Sequence, residues 1–232
     1  MMPMQSLAQP PNYITQAPEG RHRGIKTERI LRILLNNPEN TFTRYRIAKF
    51  AQAEQIQVSL LLRKLERSHL VKGTYVADPK GLLTAWSRLP IKFESRSYLL
   101  KDILNVLKNT DLDYALTTYQ AETMVNHYLF PSRTDFYIRV GDFDKWHDLL
   151  VSRRALVGGG NVRLRWYDDQ VFYNSFLVNG LRLVSIPQII VHLIREGGVT
   201  VQAAEMMMNN YYLFQQSSQK ETPRDELAQA IP

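Results

Sequence analysis

The sequence predicts an α+β chain built from two units, and three observations predict it. Apolar residues at helix spacing fill the first third of the chain, and a short strand signal around a glycine closes that stretch. Charge divides in the same place. Residues 1–101 hold 17 Lys+Arg against 7 Asp+Glu, a net of +10, while residues 102–232 hold 12 against 15, a net of −3. Beyond residue 90 helix-like and strand-like segments alternate, with the hairpin dipeptide Asn179-Gly180 between two of the strands. The expected organisation is a disordered leader over 1–23, a basic unit over 24–90, a mixed α/β unit over 91–214 and a flexible tail over 215–232.

The chain has 232 residues, of which 44% are hydrophobic, an ordinary share for a globular protein. Cysteine is absent, which excludes disulfides and thiolate metal sites. No apolar run is long enough to cross a membrane, and the Pro- and Gln-rich start lacks the charged and apolar regions of a signal peptide. A cytoplasmic protein is expected. The basic half suits a polyanion, and DNA, RNA and an anionic membrane surface all fit the charge alone. Arg21, His22, Arg23 and Lys26 form a basic cluster that reads either as an arm along DNA or as a solvated leader.

In the basic unit, Thr27 is a plausible cap for a first helix carrying Ile30, Leu31, Ile33, Leu34 and Leu35, and Asn36-Asn37-Pro38 ends it. Thr43 caps a second helix from Arg44 to about Phe50, with Ile47 and Ala48 inward. The turn Ala51-Gln52-Ala53 is short and lacks the glycine often found there. The third helix, over 54–68, is the centre of the pattern. Ile56, Val58, Leu61, Leu62, Leu65 and the following Leu70 mark one face, and Gln55, Gln57, Ser59, Arg63, Lys64 and Arg67 mark the other. A small wing around Lys72-Gly73 follows, then a helix with Asp78 as cap, Pro79 at its first position and Leu82, Leu83 and Trp86 inward. This order resembles the winged helix-turn-helix of transcription regulators. It implies that Gln55, Gln57, Ser59 and Arg63 face the major groove, and that Arg44, Tyr45, Lys64, Arg67 and Lys72 position the helix on phosphates.

The segment around Pro90 reads as the crossing to the second unit. There the pattern gives a helix through Tyr98, Leu99, Ile103, Leu104 and Leu107, a strand at 114–117, a helix at 119–128, a strand at 135–140 and a helix capped by Asp142. Strands follow at 162–166, 171–176 and 181–184, then two closing helices at 186–194 and 199–213. Asp168-Asp169 reads as a turn, Gly158-Gly159-Gly160 as a connector, and Met206-Met207-Met208 with Tyr211, Tyr212 and Phe214 as a core helix or a partner face.

A strand, Thr117-Thr118, a helix and a strand bearing Asp135 resemble the minimal nucleotidyltransferase fold. Active members of that fold carry a Gly-Ser pair and two carboxylates one residue apart, which hold divalent metal against triphosphate. Here Thr117-Thr118 and Asp135-Phe136-Tyr137 stand in those places, so the resemblance implies the fold without the catalysis. The basic winged helix, the run Tyr114-Ala115-Leu116-Thr117-Thr118-Tyr119-Gln120-Ala121, the run Phe130 to Ile138, and Leu183-Val184-Ser185-Ile186-Pro187 together look like the AbiEi-type antitoxins of type IV toxin–antitoxin systems. That resemblance spans roughly residues 27–214. It implies a repressor that binds inverted repeats near its own promoter and opposes a nucleotidyltransferase-like toxin, its functional partner. A homodimer on double-stranded DNA is expected, because a lone winged helix reads only a half-site, and no cofactor or metal is expected. The alternative is a nucleotidyltransferase-fold enzyme acting on RNA or nucleotide with atypical metal ligands. A third reading makes the winged helix a protein-docking module.

Overall fold

Two Arg-bearing helical turns near the start of the chain determine how its halves meet. The computed structural model describes residues 24–39 and 42–218, so the expected leader over 1–23 and the tail beyond 218 lie outside the described residues. Helix α1 (Ile25–Asn36) starts three residues earlier than Thr27 as cap would set it, after Gly24, whose left-handed backbone (φ 98°) a glycine adopts without strain. Helix α2 (Arg44–Ala51) begins where expected, with Thr43 Oγ1 accepting from the Arg46 amide at 3.2 Å. Helix α3 (Gln55–Arg67) is closed at its start by a Glu54–Gln57 capping box. The two-residue strands β1 (Val71–Lys72) and β2 (Tyr75–Val76) pair antiparallel about Gly73. Helix α4 (Pro79–Ser87) has Asp78 as its cap, with the side chain accepting from the Gly81 amide at 2.9 Å.

The second half is a seven-stranded mixed sheet in the order β6-β3-β7-β5-β4-β9-β8. It comprises β3 (Glu94–Leu99), β4 (Tyr114–Thr117), β5 (Thr134–Ile138), β6 (Leu156–Val157), β7 (Val162–Trp166), β8 (Phe176–Val178) and β9 (Leu181–Leu183). Helices α5 (Ile103–Lys108), α6 (Thr118–Val125), α7 (Phe143–Ser152), α8 (Ile186–Glu196) and α9 (Val199–Ser218) cover it. Strands β5 and β7 run parallel, with Phe136 opposite Leu164 and Asp135 opposite Arg163. The period of two therefore sends Phe136 and Leu164 to one face and Asp135, Tyr137, Arg163 and Arg165 to the other. The first face packs under α7, where Trp146 meets Phe136 and Tyr114. The second lies under α8.

Three expectations are corrected. Tyr98 and Leu99 belong to strand β3, and the helix begins only at Ile103, because the 94–99 segment finds ladder partners in β7 and β6. The expected strand at 171–176 is a 3-10 turn (Asp169–Phe172) followed by the short β8. Asp142 stands at the cap position of α7 but makes no cap bond, since its carboxylate takes Lys145 Nζ at 2.7 Å. The hairpin at Asn179-Gly180 forms as expected, with φ of 50° and 77° at the two turn residues. In α9, Met207, Met208 and Tyr212 are buried, while Met206 is partly exposed.

The two halves share one continuous apolar core. Helix α1 is buried almost all round, against α2 and α4 of its own half and α8 of the other. Its polar residues Glu28 and Arg32 are buried with the rest. Among the described residues no helix is long and apolar enough to cross a membrane.

Candidate nucleic-acid interface

The surface around α3 is built by local capping and by one long-range clamp. Gln52 closes α2 in the left-handed region (φ 50°), taking the backbone conformation that the missing turn glycine would have supplied. Arg29 on α1 holds that turn. Its Nη1 donates to Gln52 Oε1 at 2.7 Å, while Nε and Nη2 grip the Asp168 carboxylate at 2.9 and 2.7 Å. The capping box then fixes the start of α3, with Gln57 Oε1 accepting from the Glu54 amide at 3.3 Å.

Of the residues expected to read bases, Gln55 and Arg63 are exposed and Ser59 is half-buried. Gln57 does not share their face. Its side chain closes the capping box and lines a cleft of about 620 Å³ with Lys26, Ile30 and Leu61. Among those expected to hold phosphates, Arg44 and Tyr45 are exposed in the first turn of α2, Lys64 and Arg67 are exposed on α3, and Lys72 is exposed on β1. Among the described residues no ion pair engages Arg44, Arg63, Lys64, Arg67 or Lys72. The acids nearby are committed. Glu54 lies 3.8 Å from Lys26, and Glu66 Oε1 accepts from the Gly73 amide at 3.2 Å, tying the hairpin to α3.

The buried side of α3 is Val58, Leu62 and Leu65. Ile56, expected in that stripe, is 60% exposed, and Leu60 is 56% exposed. At 100° per residue Ile56, Leu60, Arg63 and Arg67 form one line opposite the core. Sequence periodicity carried two apolar stripes there, and only the packing on α2 and β1 selects between them.

The position resembling a nucleotidyltransferase site is filled differently. Asp135 is fully buried and accepts from Thr118 Oγ1 at 2.6 Å, Arg133 Nε and Nη2 at 2.7 and 3.2 Å, Arg163 Nε and Nη2 at 2.9 Å, and Arg165 Nη2 at 3.1 Å. Glu196 at the end of α8 takes the same three arginines. Burial alone would lower the Arg133 pKa, and the Asp135 and Glu196 charges overcome it and raise it. Thr118 holds φ at 49°, a left-handed backbone rare for a β-branched residue. Sequence reasoning missed this cluster; the alternation Arg163-Leu164-Arg165 is the signal in the sequence that points to it.

A second buried polar chain joins the halves. Arg32 donates to Gln188 Oε1 at 2.6 Å, Gln170 Oε1 at 2.7 Å and Tyr167 OH at 3.2 Å. Glu28 accepts from Trp86 Nε1 at 2.9 Å, Tyr167 OH at 2.8 Å and Arg195 Nη1 at 3.4 Å. Because Gln188 Oε1 faces Arg32, its amide nitrogen donates to His192 Nε2 at 2.6 Å. His192 Nε2 is thus an acceptor, so its proton lies on Nδ1, 2.6 Å from Thr117 Oγ1. Burial, and then the positive charges of Arg165, Arg195 and Arg32, push the His192 pKa well below its ordinary value. Burial, and then the Glu28 charge, push the Tyr167 hydroxyl well up.

Compared with known families, curated proteins and solved structures, the chain matches none.

Proposed function

We propose that the chain is a DNA-binding transcriptional regulator. On this reading its first half is a winged helix-turn-helix, with α3 as the reading helix and the β1–β2 hairpin as the wing. One observation carries the reading. The side of α3 turned away from the core presents Arg63, Lys64 and Arg67 without carboxylate partners among the described residues, and Arg44 and Lys72 flank it. A duplex neutralises such cations, and its major groove admits a single helix. Gln55, Ser59 and Arg63 take base edges, while Arg44, Tyr45, Lys64, Arg67 and Lys72 hold phosphates. The protein acts as a homodimer, since one winged helix reads one half-site. Following the antitoxin resemblance, it represses its own promoter and opposes a nucleotidyltransferase-like toxin without binding it tightly.

The second half is then a nucleotidyltransferase-like scaffold. The bonding of Asp135 supports a structural role over a catalytic one. A carboxylate has about four lone-pair sites, and three guanidinium groups and one hydroxyl fill them, so a divalent ion would have to displace arginine. The test is a fluorescence-anisotropy titration of the full chain against its own upstream duplex and a scrambled one, at about 50 and 200 mM salt. Tighter, less salt-steep binding to its own DNA is expected, with a log–log slope of about −4.5 on the scrambled duplex if some five phosphates are neutralised. Equal and steep binding to both would reduce the basic half to an electrostatic footprint, and no binding to either would remove the reading.

A further inference from the structure

We propose that Ile56 and Leu60 are specificity residues that read thymine C5-methyl groups, which makes the site a reader of thymine-bearing DNA rather than of any duplex. This rests on the DNA-binding reading above. The two side chains are 60% and 56% exposed and stand one turn apart on the line of α3 farthest from the core. Leaving an isoleucine and a leucine in water on the same line forgoes the gain of burying them. The surroundings identify what covers them. Arg63 and Arg67 continue the line, Lys64 borders it, and the nearby carboxylates Glu54 and Glu66 are already engaged. The complement of that face is therefore a polyanion that also offers small apolar groups inside a groove wide enough for a helix.

On the base edges of the B-DNA major groove the thymine methyl is that apolar group. Double-stranded RNA fails on both counts, since its major groove is too deep and narrow for side chains to read and uracil lacks the methyl. Residues four apart rise about 6 Å along a helix, close to two base steps of about 3.4 Å. The pair thus suits two thymines one or two steps apart, with Gln55, Ser59 and Arg63 beside them for polar edges.

The experiment begins with a randomised duplex library bound to the full chain. The enriched site is remade with deoxyuridine at one thymine position at a time, which deletes a methyl and keeps the pairing. For the unsubstituted protein, one or two positions should weaken binding about fourfold each, the value of roughly one buried methyl. Leu60→Ala or Ile56→Ala should abolish the response at one of those positions and leave the others, and both variants should fold, since both side chains are solvent-facing. An enriched site whose deoxyuridine versions all bind equally would overturn the proposal and leave DNA binding intact. No enriched site at all would overturn both. Sedimentation of the same variants covers the remaining occupant: loss of self-association with an unchanged methyl response would make the face an interface between copies, and the proposal would fall.

Discussion

Arg32→Met tests whether the halves are held by the buried polar chain. The substitution keeps an unbranched stem of similar length and removes only the guanidinium. In the folded protein that group is fully buried, donates to Gln188, Gln170 and Tyr167, and lies 3.7 Å from Glu28 and 4.0 Å from Asp168. Its loss strands the Gln188 and Gln170 carbonyl oxygens and leaves the Glu28 charge to Arg195 alone. Removing one partner of a buried, hydrogen-bonded ion pair costs about 3–5 kcal/mol. For a chain of this size each kcal/mol moves Tm by about 2–4 °C, so a fall of about 6–20 °C is expected in a calorimetric scan. The double variant Glu28→Gln with Arg32→Met should fall by less than the sum of the two single changes, because the second change removes a charge the first has orphaned. A fall under about 3 °C for Arg32→Met would refute the reasoning, and additive losses would show that Glu28 and Arg32 do not act together.

Other consequences can be checked alongside. His192 is held neutral while its unfolded counterpart protonates near pH 6.5, so the unfolded state binds more protons as pH falls; stability should drop below that pH with a slope approaching about 1.4 kcal/mol per unit, and His192→Gln should flatten urea-derived stability between about pH 6.5 and 5. Asp135→Asn should destabilise by about 3–5 kcal/mol, since three arginines would keep only Glu196; unchanged or higher stability by thermal denaturation would show that the cluster does not hold the fold. On DNA, Arg63→Ala should cost about 1–3 kcal/mol at one base position if it meets a guanine, whereas Lys72→Ala should weaken all duplexes alike and reduce the salt slope by roughly one. Swapped behaviour in anisotropy titrations would reverse the two assignments.

What was legible in the sequence was local. Thr43, Asp78-Pro79 and Asn179-Gly180 marked their helix starts and turn because a cap or a hairpin needs only its own few residues. The Leu82, Leu83 and Trp86 face was legible for the same reason, as one stripe on one helix. The third helix carried two apolar stripes, one through Val58, Leu62 and Leu65 and one through Ile56 and Leu60, and no rule internal to the helix says which is buried. Strand β3 was misread because Glu94–Leu99 has no clean alternation of its own and is a strand only through its pairing with β7 and β6. Glu28 and Arg32 form an i, i+4 pair that ordinarily marks a solvated face. Apart from Trp86, which Glu28 also takes, their partners lie more than a hundred residues on, among them Tyr167, Gln170 and Gln188, beyond any sequence window.

That long-range bonding changes what the second half does for the first. Arg29 holds the turn before α3 with one nitrogen and Asp168 of the second half with the other two, so the two halves set the entry angle of α3 together. Gln170 Nε2 reaches the Phe50 carbonyl at 2.6 Å and fixes the end of α2 from the same side. Cutting the chain near residue 90 would expose a face of α1 carrying Glu28 and Arg32, strip Arg32 of its bonds to Gln188, Gln170 and Tyr167, leave Glu28 without Tyr167 and Arg195, and leave the Gln52 turn with half of its clamp. The geometry of the basic half is thus completed by the sheet behind it. The cluster of Asp135, Glu196 and three arginines suits the sheet to that task, because an ion cluster closed by its own residues holds its shape without a ligand.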